Sequence, residues 1–264
     1  MHNFAFHRPT SVADAAKAIG AASDGKFVAG GQTLLPTLRQ RLAEPSDMVD
    51  LNAIAELKGI KLEGDGVTIG AMTTHAEVAN SADVQKTIPA LASLAGMIGD
   101  NQVRARGTIG GSIANNDPAA DYPAAVLGLG ATVKTNKREI KADDFFKGMF
   151  ETALAEGEII TSVHFPKPEI AGYEKFRQPA SRFALVGVFV AKTKAGVRVA
   201  VTGAGPGVFR SKDLETALGG NFTADAAKGV KVSANGLNGD LHGSPEYRAS
   251  LVSTLAARAA AGAK

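Results

Sequence analysis

The chain has 264 residues, 29 Lys plus Arg against 26 Asp plus Glu, a net charge of +3, 45% apolar residues and no cysteine. That length can bury a real core, in one large domain or two small ones, and the spread of apolar residues excludes a disordered tail. The missing thiols exclude disulfides, thiolate zinc sites, a cysteine nucleophile and any ordinary iron–sulfur cluster held by this chain, and basic residues that form no run make no case for nucleic acid.

In chain order the elements read as mixed α and β. Ser11 to Ile19 is a helix, with Ser11 at the cap and Asp14 three residues on. Lys26 to Ala29 is a short strand running into Gly30-Gly31. Leu34, Leu35, Leu38 and Leu42 then recur at helical spacing, with Pro36 in the first turn. Met48 to Leu51 is a second short strand. Gly59 to Ala71 reads as a hairpin turning at Gly64-Asp65-Gly66. Thr74 and Glu77 make a capping box, which leaves His75 exposed, and Ile88 to Ile98 is a buried helix. Val103 to Ala119 reads as a polar loop rich in Gly and Asn. Asp121 to Leu129 is an apolar helix, Ala131 to Thr135 a strand, and Glu158 to Phe165 another that Pro166 and Pro168 stop.

Pro166-Lys167-Pro168 is the expected domain boundary. Strands follow at Tyr173–Phe176, Ala184–Lys192 and Val197–Thr202, then helices at Ser211–Leu218, Ala224–Lys228 and Glu246–Ala261. The Ala-rich end, Ala256 to Lys264, reads as a fraying helix. Met1 to Thr10 has no apolar targeting core, and no stretch is long and apolar enough to span a membrane. A soluble cytoplasmic protein is the expectation.

Two segments carry candidate chemistry. In Ala29-Gly30-Gly31-Gln32-Thr33-Leu34-Leu35-Pro36 a strand ends, two glycines turn the backbone and a helix begins. Such a turn aims N–H groups at an anion, and glycine lets the anion approach. Thr108-Ile109-Gly110-Gly111-Ser112-Ile113-Ala114-Asn115 has the same ingredients. Neither is a P-loop, and no G-x-G-x-x-G follows a strand; Gly203-Ala204-Gly205-Pro206-Gly207 fails at Pro206 and Val208. Either loop alone reads equally well as a plain turn.

Together, and in this order, the two segments resemble the FAD-binding motifs of the medium, flavin-binding subunit of molybdenum hydroxylases, the carbon monoxide dehydrogenase and xanthine dehydrogenase family. Asp117-Pro118-Ala119-Ala120-Asp121, Gly157-Glu158-Ile159-Ile160, Tyr173-Glu174-Lys175-Phe176 and Asp240-Leu241-His242-Gly243-Ser244 extend the likeness over nearly the whole chain. The resemblance implies an α+β fold: a two-lobed FAD-binding domain of the vanillyl-alcohol oxidase (PCMH) type over residues 1–166, with lobes of about 1–57 and 58–166, then a C-terminal domain over 170–264 with a small antiparallel sheet and helices. It implies non-covalent FAD here, with a molybdopterin cofactor on a large partner subunit and [2Fe–2S] clusters on a small one, in a dimer of heterotrimers.

Carried over by position, the resemblance places Ala29, Gly30, Gly31, Gln32, Thr33 and Leu34 around the FAD pyrophosphate. Thr108, Gly110, Gly111 and Ser112 hold the pyrophosphate or ribityl from the other side. Asp121 bonds the ribityl or adenosine hydroxyls, Ile98 and Ile160 give apolar contacts, and Lys175 is a cation near the flavin ring that would favour its anionic reduced form. The residues keep other readings open. Asp121 could cap the helix that follows it, Ile98 and Ile160 could be core, and Lys175 could be a solvated strand residue. Arg104 and Arg106 could meet a phosphate, a partner or water. The five histidines are scattered, with no metal-ligand spacing. A stand-alone FAD oxidase or reductase, and a non-catalytic binding module, are the alternative functions.

Overall fold

Short strands near the start pair in parallel because helical crossovers separate them. Ala5–His7, Asp47–Asp50 and Gly25–Val28 lie side by side in that order, with Val12–Ala21 and Leu34–Arg39 as the crossovers. The Ser11 hydroxyl caps the first, accepting from the Asp14 N–H at 3.1 Å. The computed structural model describes all 264 residues.

An antiparallel sheet comes next, in the order Ile60–Glu63, Gly66–Gly70, Ile160–Pro166, Thr132–Thr135 and Glu139–Lys141. The helices His75–Asn80, Ala82–Thr87, Pro89–Gly96 and Tyr122–Leu129 fall in the chain between its second and fourth strands. Tyr122–Leu129 is apolar all round, and all eight of its residues are buried, the placement such a helix requires. The Thr74–Glu77 capping box is present.

A second antiparallel sheet follows Pro168: Ile170–Arg177, Ala184–Thr193, Gly196–Thr202 and Phe209–Arg210. Its strand Ala184–Thr193 is buried on both faces. Phe189 and Ala191 join the core that contains the helix Tyr122–Leu129. Val186, Val188 and Val190 face the other way, in a core with Val252, Leu255 and Ala256 of the helix Pro245–Ala261. The period of two along the strand sorts these side chains. Gly128 makes the first packing possible, since a Cβ there would lie 2.8 Å from the Phe189 ring. The architecture is the expected α+β arrangement, and no helix is long and apolar enough to cross a membrane.

Three local expectations are overturned. Residues 103–119 are not a loop but contain most of the helix Asn101–Arg106 and all of Ile109–Asn115. Poor helix formers are outweighed by caps and burial: Asp100 accepts from the Val103 N–H at 2.8 Å, Thr108 accepts from the Gly111 N–H at 3.1 Å, and Ile109 and Ile113 are fully buried. His75 is not exposed; its side chain turns inward, with its ring 5.3 Å from that of Tyr122. The Ala-rich end does not fray. Ala256, Ala257, Ala259 and Ala260 are buried, and Lys264 and Ala171 exchange backbone hydrogen bonds of 3.0 and 3.1 Å. Small side chains let this helix lie close to the sheet, where Gly172 meets the Ala259 carbonyl.

Phe189→Ala removes the ring that joins the sheet to the buried helix. It is expected to cost about 3–5 kcal/mol, read as a lower urea midpoint at unchanged slope. A loss below about 1 kcal/mol would show that this contact does not anchor the sheet.

Candidate functional site

The first glycine loop starts where Gly25–Val28 runs out. Asn52, just past the neighbouring strand, donates from Nδ2 to the Ala29 carbonyl at 2.8 Å. Gly30 passes so close to the Arg106 carbonyl that any Cβ would overlap it, and Gly31 has φ +73°. Both positions therefore require glycine. The N–H groups of Gly30, Gly31, Gln32 and Thr33 find no acceptor in the chain. Four successive unpaired donors thus line one wall of a cleft of about 640 Å³, a volume typical of cofactor sites.

The second loop faces the first, but its N–H groups are already used. Ile109 donates to the Thr73 carbonyl, Gly110 to Ala71, Gly111 to the Thr108 hydroxyl and Ser112 to the Thr108 carbonyl, at 2.8–3.1 Å. Gly110 permits that packing, since a Cβ would lie 2.7 Å from the Ala71 oxygen. Gly111 differs. Its Cβ would meet the Thr108 hydroxyl at 3.0 Å and the Ala29 Cβ at 3.5 Å, in the gap between the loops. The Ser112 hydroxyl and the Asn115 amide, half-buried in the wall, remain for a ligand.

Ile98 and Ile160 both reach the cleft and also pack on the main core. Asp121 lies in the wall and makes no side-chain cap. Its carboxylate accepts from the Tyr173 hydroxyl and from Lys175 Nζ at 2.9 and 3.0 Å. Lys175 also donates to the Met97 carbonyl at 3.1 Å. The Lys175 and Asp121 side chains are 1% and 4% exposed. Burial pushes the Asp121 carboxyl up, against the pull of the Lys175 charge and the Tyr173 hydroxyl. Tyr173 and Lys175 share one strand face two residues apart, which puts both behind Asp121. Lys175 is thus neither a solvated strand residue nor part of the cleft wall.

Two further groups shape the wall. His75 is held neutral, its pKa pushed down to about 4 by burial and by the nearby Arg104 charge. Glu158 is fully covered. Its carboxylate accepts from Arg138 Nε and Nη2, both at 3.0 Å, from the Thr135 hydroxyl at 2.7 Å and from the Ala155 N–H at 2.8 Å. The Arg138 hydrogen bond is the main reason its pKa falls to about 2. This fixes the turn that delivers Ile159 and Ile160. The opposite rim is Ser181, Arg182 and Phe183, from the hairpin turn of the last sheet. Sequence reasoning missed this rim and His75. Neither carries a local signal, because a distant hairpin and an inward-turned side chain put them there.

Residues 2–168 match the family model described as the FAD binding domain in molybdopterin dehydrogenase. The chain belongs to this family. It is 38% identical over 220 residues to the carbon monoxide dehydrogenase medium chain of Hydrogenophaga pseudoflava, covering 78% of this chain and 77% of that one. It is 39% identical over 217 residues to the nicotine 6-hydroxylase medium subunit of Paenarthrobacter nicotinovorans, with the same coverage. Among solved structures, quinoline 2-oxidoreductase from Pseudomonas putida 86 superposes with a TM-score of 0.88 at 29% identity, over 98% of each chain. Like these relatives, this chain is an oxidoreductase flavoprotein component.

Two measurements test the wall. Asp121→Ala strands a buried ammonium and is expected to cost about 3–5 kcal/mol, most of it recovered when Lys175→Met is added; additive losses in urea unfolding would show the pair uncoupled. The Glu158 carboxyl titrates near 2 folded against 4.5 in its ordinary state. Its stabilisation is therefore present above about pH 4.5 and lost as pH falls towards 2. The melting-temperature gap between wild type and Glu158→Gln should be widest at neutral pH and close over that window. A gap independent of pH would count against the assigned carboxylate network.

Proposed function

We propose that this chain is the FAD-carrying medium subunit of a molybdenum hydroxylase complex. In this reading it passes electrons from [2Fe–2S] clusters on a small partner subunit to an external acceptor, and the substrate is oxidised at a molybdopterin cofactor on a large partner subunit. The single observation that carries the reading is the row of four unpaired N–H groups at Gly30 to Thr33, facing Gly111 and Ser112 across the cleft.

The cleft fits FAD. A diphosphate needs donors without bulk, and the first loop offers them from backbone alone. The bare Gly111 leaves the gap open, and the Ser112 hydroxyl and Asn115 amide offer further polar contacts from the other side. Ile98, Ile160 and Phe183 supply apolar surface for ring systems and exclude water. When bound, FAD supplies the redox chemistry, and the protein supplies binding, orientation and electrostatics. Because Asp121 neutralises Lys175, the pair adds no net charge beside the cleft. The chain's bias on the flavin then comes from backbone dipoles and from the other charged residues of the wall and rim, among them Lys26, Asp117 and Arg182.

Co-expression with both partner subunits tests the reading. The purified complex should show flavin absorbance and release FAD on denaturation; a complex that forms without FAD refutes it, and steady turnover by the isolated chain would favour a stand-alone enzyme. Ser112→Ala should leave stability within about 0.5 kcal/mol and weaken FAD retention. Gly111→Val fills the gap and should weaken retention by at least about tenfold, equivalent to about 1.4 kcal/mol. Unchanged retention in both variants would remove the second loop from the site.

A further inference from the structure

A second cavity, of about 340 Å³, adjoins the turn that ends the helix Ile109–Asn115. Asn115 and Asp117 line the cleft, and Asn116 between them lines this cavity. Its apolar walls come from both cores: Phe146 and Val208 pack on the main one, Phe209 and Leu237 on that behind the last sheet. Seams between packed units are where small-molecule pockets concentrate, and the volume lies within their usual range.

The polar lining is one-sided. Gly203-Ala204-Gly205-Pro206-Gly207, which fails as a dinucleotide loop, brings Gly207 and Val208 to the wall, and Gly236 joins them from the loop after Ala224–Lys228. The N–H groups of these three residues find no acceptor in the chain. Lys147 is the one charged residue of the lining; it is exposed and makes no ion pair. The Glu151 carboxylate approaches Gly148 but lies outside the lining. The walls are tied down by the chain itself. Asn116, 1% exposed, takes a left-handed φ of +45° and donates from Nδ2 to the Gly148 and Glu151 carbonyls, both at 2.8 Å. Asn238 donates from its N–H to the Ala204 carbonyl and from Nδ2 to the Gly205 carbonyl, again at 2.8 Å. Such pre-ordering lowers the entropy lost on binding.

Donors without acceptors, one ammonium and no carboxylate in the lining select an anion, and two phenylalanine rings select a flat apolar body. We infer that this cavity is a second binding site, for a small aromatic carboxylate. Its carboxylate meets the N–H groups of Gly207 and Val208 and the Lys147 ammonium, and its ring lies against Phe146 and Phe209. At about 340 Å³ against 640 Å³ for the cleft, the cavity suits a one-ring acid rather than a dinucleotide. The site does not depend on the proposed function.

Isothermal titration of the intact chain with benzoate tests this. Benzoate should bind one to one with a dissociation constant below about 1 mM, and benzamide, which lacks the charge, and acetate, which lacks the ring, at least about tenfold more weakly. Lys147→Met, at an exposed position, should weaken benzoate by at least about tenfold, the loss of one charge-assisted contact. Gly207 has no left-handed φ, and a Cβ there would meet nothing nearer than the Gly148 carbonyl carbon at 4.0 Å. Gly207→Leu therefore fills the cavity without straining the fold and should abolish binding at an unchanged melting temperature. Gly111→Val, in the cleft, should leave benzoate affinity as it is. No saturable binding by the folded chain, benzamide binding as tightly as benzoate, wild-type affinity in Lys147→Met, or binding kept in Gly207→Leu overturns the site. Binding lost in Gly111→Val and kept in Gly207→Leu puts benzoate in the cleft and overturns it equally.

Discussion

Asp121 opens the buried helix, Lys175 lies in the last sheet, and both side chains are almost wholly buried. Removing two such ions from water costs several kcal/mol each, and their attraction offsets this only if the geometry is met. The sheet therefore has one favourable seat against the helix, with Tyr173 and the Met97 carbonyl completing it. Everything that the sheet brings to the cleft inherits that placement. The hairpin carrying Arg182 and Phe183 overhangs the mouth, and Arg182 ties it to Gly99 on the far wall.

The two glycine loops look alike in sequence but divide the work. The first leaves its N–H groups unpaired. The second uses its own to dock the helix Ile109–Asn115 against Ala71 and Thr73. Gly30 joins them by letting one backbone rest on the Arg106 carbonyl of the other. The glycines thus serve three needs: close packing at Gly30 and Gly110, a left-handed turn at Gly31, and an open gap between the loops at Gly111.

Much of this was legible from the residues alone. The Ser11 and Thr74 caps, the Gly64 turn, the apolar helix before Leu129 and the apolar strand at Ala184 are local patterns, and local patterns survive folding. The turn of the first loop was legible because a strand, two glycines and a helix start follow one another there, and such a turn leaves N–H groups unpaired. What was not legible depended on distant partners. Residues 103–119 are helical through their caps and the burial of Ile109 and Ile113, which composition does not display. His75 reads as part of a cap until Tyr122 is placed beside it. Lys175 reads as a lone cation until the pleat of its strand turns it towards Asp121.

The strand Ala184–Thr193 has a consequence for how the molecule comes apart. Its two faces belong to two different cores, so no side of it can be peeled away without exposing apolar surface from both. Loss of the helix Pro245–Ala261 would bare valines whose backbone also positions Phe189 in the neighbouring core. The shared strand makes the unfolding of either core a cost to the other, and so couples their thermal transitions into one cooperative event.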